Sequence, residues 1–221
     1  MPAAVAAPAP MSVPAGRVAA LDIARTVALA GMIVFHAVVD LELFGHLPPG
    51  TTLSGPWPAF ARAVAGSFLF LAGVSLWLAH GQGVRWRPFL RRLAVLAAAA
   101  AGITLVTWLA RPDRFVVFGI LHSIAAASVI GLAALRLPAA LTLALAALAV
   151  AAPHVLRGPV FDAPGLLWLG LSSWTPRSMD FVPVLPWFGA CLAGIAGARF
   201  ADRAGAWRAL RAGAAHGPAA R

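Results

Sequence analysis

Leu21-Asp22-Ile-Ala-Arg25-Thr-Val-Ala-Leu29-Ala-Gly31-Met32-Ile-Val-Phe-His36-Ala-Val-Val-Asp40 is the stretch on which the reading of the chain turns. It is apolar almost throughout and long enough to cross a bilayer as a helix, which takes about 20 residues. Four ionisable groups interrupt it. Asp22 and Arg25 are three apart, and His36 and Asp40 are four apart. At helical spacing, positions 22, 25, 29, 32, 36 and 40 form one stripe. His36 lies roughly 16 Å beyond Arg25 at about 1.5 Å per residue. Ionisable groups inside a span are costly and face a bundle interior or a wet cavity. The stripe is therefore a functional-site candidate. The plain alternatives are an end-of-helix pair with a snorkelling arginine, an interfacial Asp40 and a packed histidine.

The rest of the chain has the same character. Of 221 residues, 61% are hydrophobic and only 11% charged. Soluble domains run near 45–50% and about 25%. That excludes a disordered chain, a disulfide scaffold and an ordinary soluble enzyme. The net charge of +10 comes from arginine alone, because there is no lysine. In so apolar a chain it argues for membrane topology and not for nucleic acid. The single cysteine, Cys191, excludes an internal disulfide and a cysteine-based metal cluster. No HExxH motif and no tight histidine cluster occurs, so no metal is expected.

Working outward, six apolar stretches are long enough to be spans. They are Val18–Leu41, Phe60–His80, Phe89–Ala110, about Arg114–Leu135, Ala139 to about Ala152, and Val182–Phe200. The expected fold is an all-α polytopic transmembrane bundle of about six spans. In the proline-rich segment 153–181, Gly165-Leu-Leu-Trp-Leu-Gly170 reads as a re-entrant or interfacial piece, with room for a seventh, partial span. Residues 1–16, rich in Ala and Pro and without signal-peptide character, read as a disordered cytoplasmic tail. The membrane domain is expected over 17–202, and a basic cytoplasmic tail over 203–221.

The arginines set the orientation. With the N-terminus inside, Arg85, Arg87, Arg91, Arg92, Arg136, Arg199, Arg203, Arg208, Arg211 and Arg221 are cytoplasmic. The far side carries Arg62, Arg111, Arg114, Arg157 and Arg177, offset by Glu42, Asp113, Asp162 and Asp180. This follows the positive-inside rule and puts both termini in the cytoplasm. On this topology His36, Asp40, His122 and Asp180 all fall in the outer half. Histidine and carboxylate together suit general base chemistry, the carboxylate orienting the ring and stabilising its cation. His46 follows in a Gly/Pro-rich loop near the same mouth. Gly66, Gly73 and Ser75, with Gly189, Gly194 and Gly197, read as close-packing positions. The basic loop from Arg85 to Arg92 reads first as a topology determinant, with anionic phosphates as its alternative use.

The order of these motifs resembles a known family. Arg25 and His36, ten residues between them, resemble the opening of the broad transmembrane acyltransferase group. More closely, Leu21-Asp22…Arg25…Gly31-Met32…His36…Asp40…Phe44-Gly45 is similar to the bacterial relatives of heparan-alpha-glucosaminide N-acetyltransferase. Ser67-Phe-Leu-Phe-Leu-Ala-Gly-Val-Ser75-Leu76, Phe118-Gly-Ile-Leu-His122 and Val184-Leu-Pro186-Trp187-Phe188-Gly189 resemble their later motifs. Together these cover about residues 17 to 200.

The resemblance implies an integral enzyme of the bacterial inner membrane. It would move an acyl group, often acetyl, from cytoplasmic acyl-coenzyme A to a sugar or glycan acceptor on the far side. Asp22, Arg25, Arg85 and Arg92 would hold the donor. His36 would act as general base or transient acyl carrier, with Asp40, His122 and Asp180 orienting it or meeting the acceptor. Membrane lipids are the expected surroundings. The small number of spans makes a homo-oligomer or a partner a candidate completion. Three other readings remain open from the residues alone: a proton-coupled small-solute transporter, a non-catalytic membrane protein, and a heme or quinone protein using His36 and His122.

Overall fold

The computed structural model describes residues 18–207 and 210. The expected 1–16 tail, and all of the 203–221 tail except 203–207 and 210, lie outside these residues. The described residues form six α-helices: α1 Ala19–Leu43, α2 Trp57–His80, α3 Trp86–Ala110, α4 Ile120–Ala134, α5 Ala139–Leu156 and α6 Val184–Arg203. All except α4 are long and apolar enough to cross a membrane. The chain is thus an all-α, multi-pass membrane bundle.

Glycine decides where the helices meet. In lipid, helices associate by close packing and not by hydrophobic burial, so small residues mark the contacts. A Cβ on Gly73 of α2 would strike the Cys191 carbonyl of α6, and one on Gly194 of α6 would strike the Phe70 carbonyl of α2. A Cβ on Gly189 would come within 2.6 Å of Val150 on α5. So α2, α5 and α6 form the centre, with Leu69, Leu76, Cys191 and Ile195 fully enclosed. α4 packs on α2 and α6. The remaining two helices are peripheral: α1 packs on α2, and α3 on α4.

Contacts between helix ends show which termini share a face. Arg199 near the end of α6 donates to the Leu135 carbonyl at the end of α4, at 2.5 Å. It also lies over the ring of Trp77, near the end of α2, at 4.3 Å. Arg25 near the start of α1 donates to Ser75 of α2 at 2.7 Å. The arginine-rich end therefore gathers the starts of α1 and α3 and the ends of α2, α4 and α6.

The fourth span differs from expectation. It was expected to start near Arg114, but the helix begins only at Ile120. At about 1.5 Å per residue its 15 residues reach roughly 22 Å, short of a hydrocarbon core of about 30 Å. The cause lies some 60 residues downstream. Residues 114–118 pair with 179–182 as extended chain: Met179 N–H donates to the Arg114 carbonyl and Val182 N–H to the Phe118 carbonyl, at 2.8 and 2.9 Å. Non-helical backbone beside a membrane helix is tolerated where protein satisfies it. Here the side chains of α3 contribute as well. Thr104 donates to the Val116 carbonyl at 2.8 Å, and Thr107 accepts from Val116 N–H at 3.0 Å.

The segment Gly165–Gly170 forms no α-helix. It lies in a 3-10 turn, Pro164–Leu169, following another at Pro159–Phe161. Proline at the start of each turn and the left-handed Gly170 suit such short turns. Asp162 ties this loop together, accepting from the Ser172 and Ser173 hydroxyls and from Ser173 N–H at 2.6–2.8 Å. α5 continues one turn past its expected end, through Pro153 to Leu156, and α6 runs to Arg203.

Candidate active site

Two polar centres occupy the bundle, joined by α1 and α4. The first is near the arginine-rich end. Arg25 donates to the Asp22 carboxylate at 2.9 Å and to the Ser75 hydroxyl at 2.7 Å. Ser75 is free to accept because its own proton goes to the Leu71 carbonyl at 2.6 Å. Arg25 thereby ties α1 to α2, although its side chain is still 48% exposed. It faces a cleft of about 790 Å³ between α1, α2, α3 and α4. Arg92 of α3 lines the same cleft and lies close enough for the two guanidinium charges to interact. The other walls are mostly apolar, Leu29, Phe68, Leu96 and Leu121 among them. Two cations against one carboxylate leave the cleft with an excess of positive charge. Along α1 it extends from Val18 to Leu29, roughly 16 Å.

The second centre lies farther along α1 and α4. Leu121 lines the cleft, and His122 follows it in the first turn of α4. The His122 ring is held at both nitrogens. Nδ1 accepts from Gly119 N–H at 3.2 Å, and Nε2 lies 3.3 Å from Thr104 Oγ1. Thr104 spends its own proton on the Val116 carbonyl, so it can only accept from the ring. The hydrogen bonds thus assign the neutral tautomer with the proton on Nε2. His122 is a cap of α4 before it is anything else.

Asp180 completes the cap, accepting from Ile120 N–H at 2.8 Å. A Cβ on Gly119 would collide with the Asp180 carboxylate, so glycine is what lets the acid approach. Ser178 fixes the approach from behind, its one hydroxyl proton shared between the Phe115 and Asp180 carbonyls. Burial pushes the Asp180 carboxyl above the ordinary carboxylate range. The Ile120 amide and the nearby His36 oppose that shift. His36 of α1, which is exposed beside Phe35, is therefore within electrostatic reach of Asp180.

The structure thus groups His36, His122 and Asp180, and separately Asp22, Arg25 and Arg92. Two expected residues stand apart. Asp40 is exposed a turn beyond His36, and among the described residues no side-chain contact joins it to the cluster. Arg85 lines a different recess and donates to the Ala79 carbonyl at 3.2 Å. Two partners were missed from the sequence. Ser75 was read as a packing residue, and Thr104 was not singled out. The only sequence signal for Thr104 is a hydroxyl in the Ala-rich α3. Among the described residues no group of three metal-ligating side chains gathers.

The family model of the heparan-alpha-glucosaminide N-acetyltransferase catalytic domain matches residues 17–220. The chain belongs to that family. The match runs through both polar centres and nearly the whole bundle, so the protein is a membrane acyltransferase-type chain. Comparison with curated proteins gave no match, and neither did comparison with solved structures.

Proposed function

We propose that this protein transfers an acyl group, acetyl in the first instance, from acyl-coenzyme A to a sugar or glycan acceptor, in a bacterial inner membrane with both termini in the cytoplasm. The observation that carries the reading is that the two centres share helices: a positively charged cleft at one end and a histidine–carboxylate cluster farther along, with α1 and α4 contributing to both. The donor phosphates meet Arg25 and Arg92 at the arginine-rich, cytoplasmic end, where charge-assisted hydrogen bonds are strongest. Asp22 keeps Arg25 aimed. The pantetheine arm follows the apolar walls of the cleft towards Leu121.

His36 takes the acceptor's proton as its hydroxyl or amine attacks the thioester carbonyl. The carbon–sulfur bond then breaks and the thiolate leaves towards the cytoplasm, taking up a proton. Asp180 stabilises the His36 cation, and neutral His122 positions Asp180 and the start of α4. His36 suits the base role better than His122, whose Nδ1 already accepts a backbone proton. Asp40 stands at the outer mouth, where the acceptor enters.

The test is transfer of labelled acetyl from acetyl-coenzyme A to glucosamine-containing acceptors by the purified protein. His36→Ala is expected to lower turnover by about 10²–10⁴-fold, the range for a lost general base, with coenzyme A binding retained. Full activity in His36→Ala would overturn the mechanism. A proton-coupled solute flux in proteoliposomes without acetyl transfer would favour transport instead.

A further inference from the structure

A second recess of about 650 Å³ opens at the arginine-rich end. It is built from the last turn of α2 and the Gly81-Gln82-Gly83 turn, with Arg85 on one side and Asp202 and Trp207 on the other. Its size suits a small-molecule ligand, for which about 300–1,000 Å³ is usual. Leu78 and Ala79 line both this recess and the Arg25–Arg92 cleft. A single helical turn therefore separates the two cavities. The Arg85 side chain is anchored on that turn, its Nε donating to the Ala79 carbonyl.

The chemistry of the recess is that of a phosphorylated aromatic ligand. Trp207 donates its indole N–H to the Ala198 carbonyl at 2.8 Å, which fixes the ring at the wall. Arg85 offers a planar guanidinium suited to phosphate. Trp77, also in the wall, is engaged by Arg199. Asp202 is the one acid among the lining residues, and Arg203 is its neighbour.

We propose that this recess binds the nucleotide end of the coenzyme A donor. The adenine ring lies against Trp207 and the ribose phosphate meets Arg85. The pyrophosphate and the pantetheine arm cross the Ala79 turn into the Arg25–Arg92 cleft, so Arg25 and Arg92 meet the pyrophosphate. The inference rests on the acyl-coenzyme A reading above and divides the donor between two cavities.

The experiment is calorimetric titration of the full chain, in a detergent with a neutral headgroup, with adenosine 3′,5′-bisphosphate, coenzyme A and pantetheine. The nucleotide alone is expected to bind. Arg85→Ala and Trp207→Ala each weaken nucleotide and coenzyme A binding by roughly tenfold, and the loss is absent for pantetheine. Trp207→Phe keeps a ring at the wall and retains most of the affinity. It guards against simple loss of the α6 end in Trp207→Ala. Arg177→Ala, in the loop at the opposite end, leaves nucleotide binding as it was.

No binding of the nucleotide overturns the proposal, as does equal weakening of coenzyme A and pantetheine. An anionic phospholipid that binds there while the nucleotide does not overturns it too. The two readings fail separately. Nucleotide binding without acyl transfer to any acceptor sinks the acyltransferase reading and leaves the nucleotide site standing. Transfer from acetyl-coenzyme A that is indifferent to Arg85 and Trp207 does the reverse.

Discussion

The centre of the bundle and its periphery are built on different rules. In the most apolar stretch of α6, 50% of residues are buried inside the protein, and in that of α2 33%. In α1 and α3 the share is 6% each. The central helices meet through glycine, backbone against backbone, and keep their ionisable groups, Arg62, His80, His154, Arg199, Asp202 and Arg203, towards their ends. The peripheral helices carry Asp22, Arg25, His36, Asp40 and Arg92 and are held by a handful of polar contacts. The difference teaches where specificity of fold and specificity of chemistry reside. Packing is concentrated in α2, α5 and α6, whereas the cleft is walled on two sides by helices with little to hold them still.

The most severe way to break this division is at the centre. Gly194→Leu drives a side chain into the Phe70 carbonyl of α2. Overpacking commonly costs about 1–3 kcal/mol, and a backbone collision sits at or above the top of that range. The expected result is loss of folded protein, read by size-exclusion chromatography in detergent. A well-folded Gly194→Leu protein would show that the α2–α6 contact is dispensable.

At the periphery the expectation reverses. Arg25→Ala removes a half-exposed ion pair, so the change in stability should stay within about 1 kcal/mol. Coenzyme A affinity should fall roughly tenfold or more, because a charge-assisted phosphate contact is lost. Unfolding curves and titration on the same preparation separate the two effects. A large loss of stability with unchanged affinity would make Arg25 a structural clamp.

A milder change sharpens the boundary between cap and catalyst. Thr104→Val removes the hydroxyl that holds both His122 and the Val116 carbonyl. It should cost about 1 kcal/mol of stability and lower turnover several-fold, with the acetyl-coenzyme A KM little changed.

The smallest effects are in the loop over the site, where two aspartates respond to pH in opposite directions. Burial raises the Asp180 carboxyl in the folded chain. Its stabilising contribution is present below the unfolded value, about 3.9, and is lost as pH rises through the higher folded value. The Ser173 and Ser172 hydroxyls hold Asp162 below its ordinary value. Its contribution is present above about 3.9 and is lost as pH falls. Thermal unfolding followed across pH should show Asp180→Asn flattening the decline with rising pH and Asp162→Asn the decline towards acid. Matching slopes in both variants would contradict the assignment.

The apolar runs made the helices legible, because a span must be long, apolar and internally bonded wherever it lies. The Asp22–Arg25 pair was legible for the same reason, being local to one helix. What depended on distant pairing was not. The start of α4 was misplaced by six residues because nothing near Arg114 announces its partner at Met179. Depth along the spans suggested that His36, His122 and Asp180 share a level. It did not reveal that His122 is fastened by Thr104 and Gly119. Arg85 and Arg92 are only seven residues apart, about two helix turns, yet they line different cavities.

The cap on α4 also has a consequence for the order of assembly. Ile120 N–H and the Phe118 carbonyl find their partners only in residues 180 and 182. While the chain is emerging from the ribosome, α4 must wait through the synthesis of α5 and the whole following loop before its first turn is satisfied. At about 5–20 residues per second that is an interval of several seconds. During it, a short helix is presented to the insertion machinery with its leading end unfinished. The candidate site is therefore among the last parts of the molecule to exist.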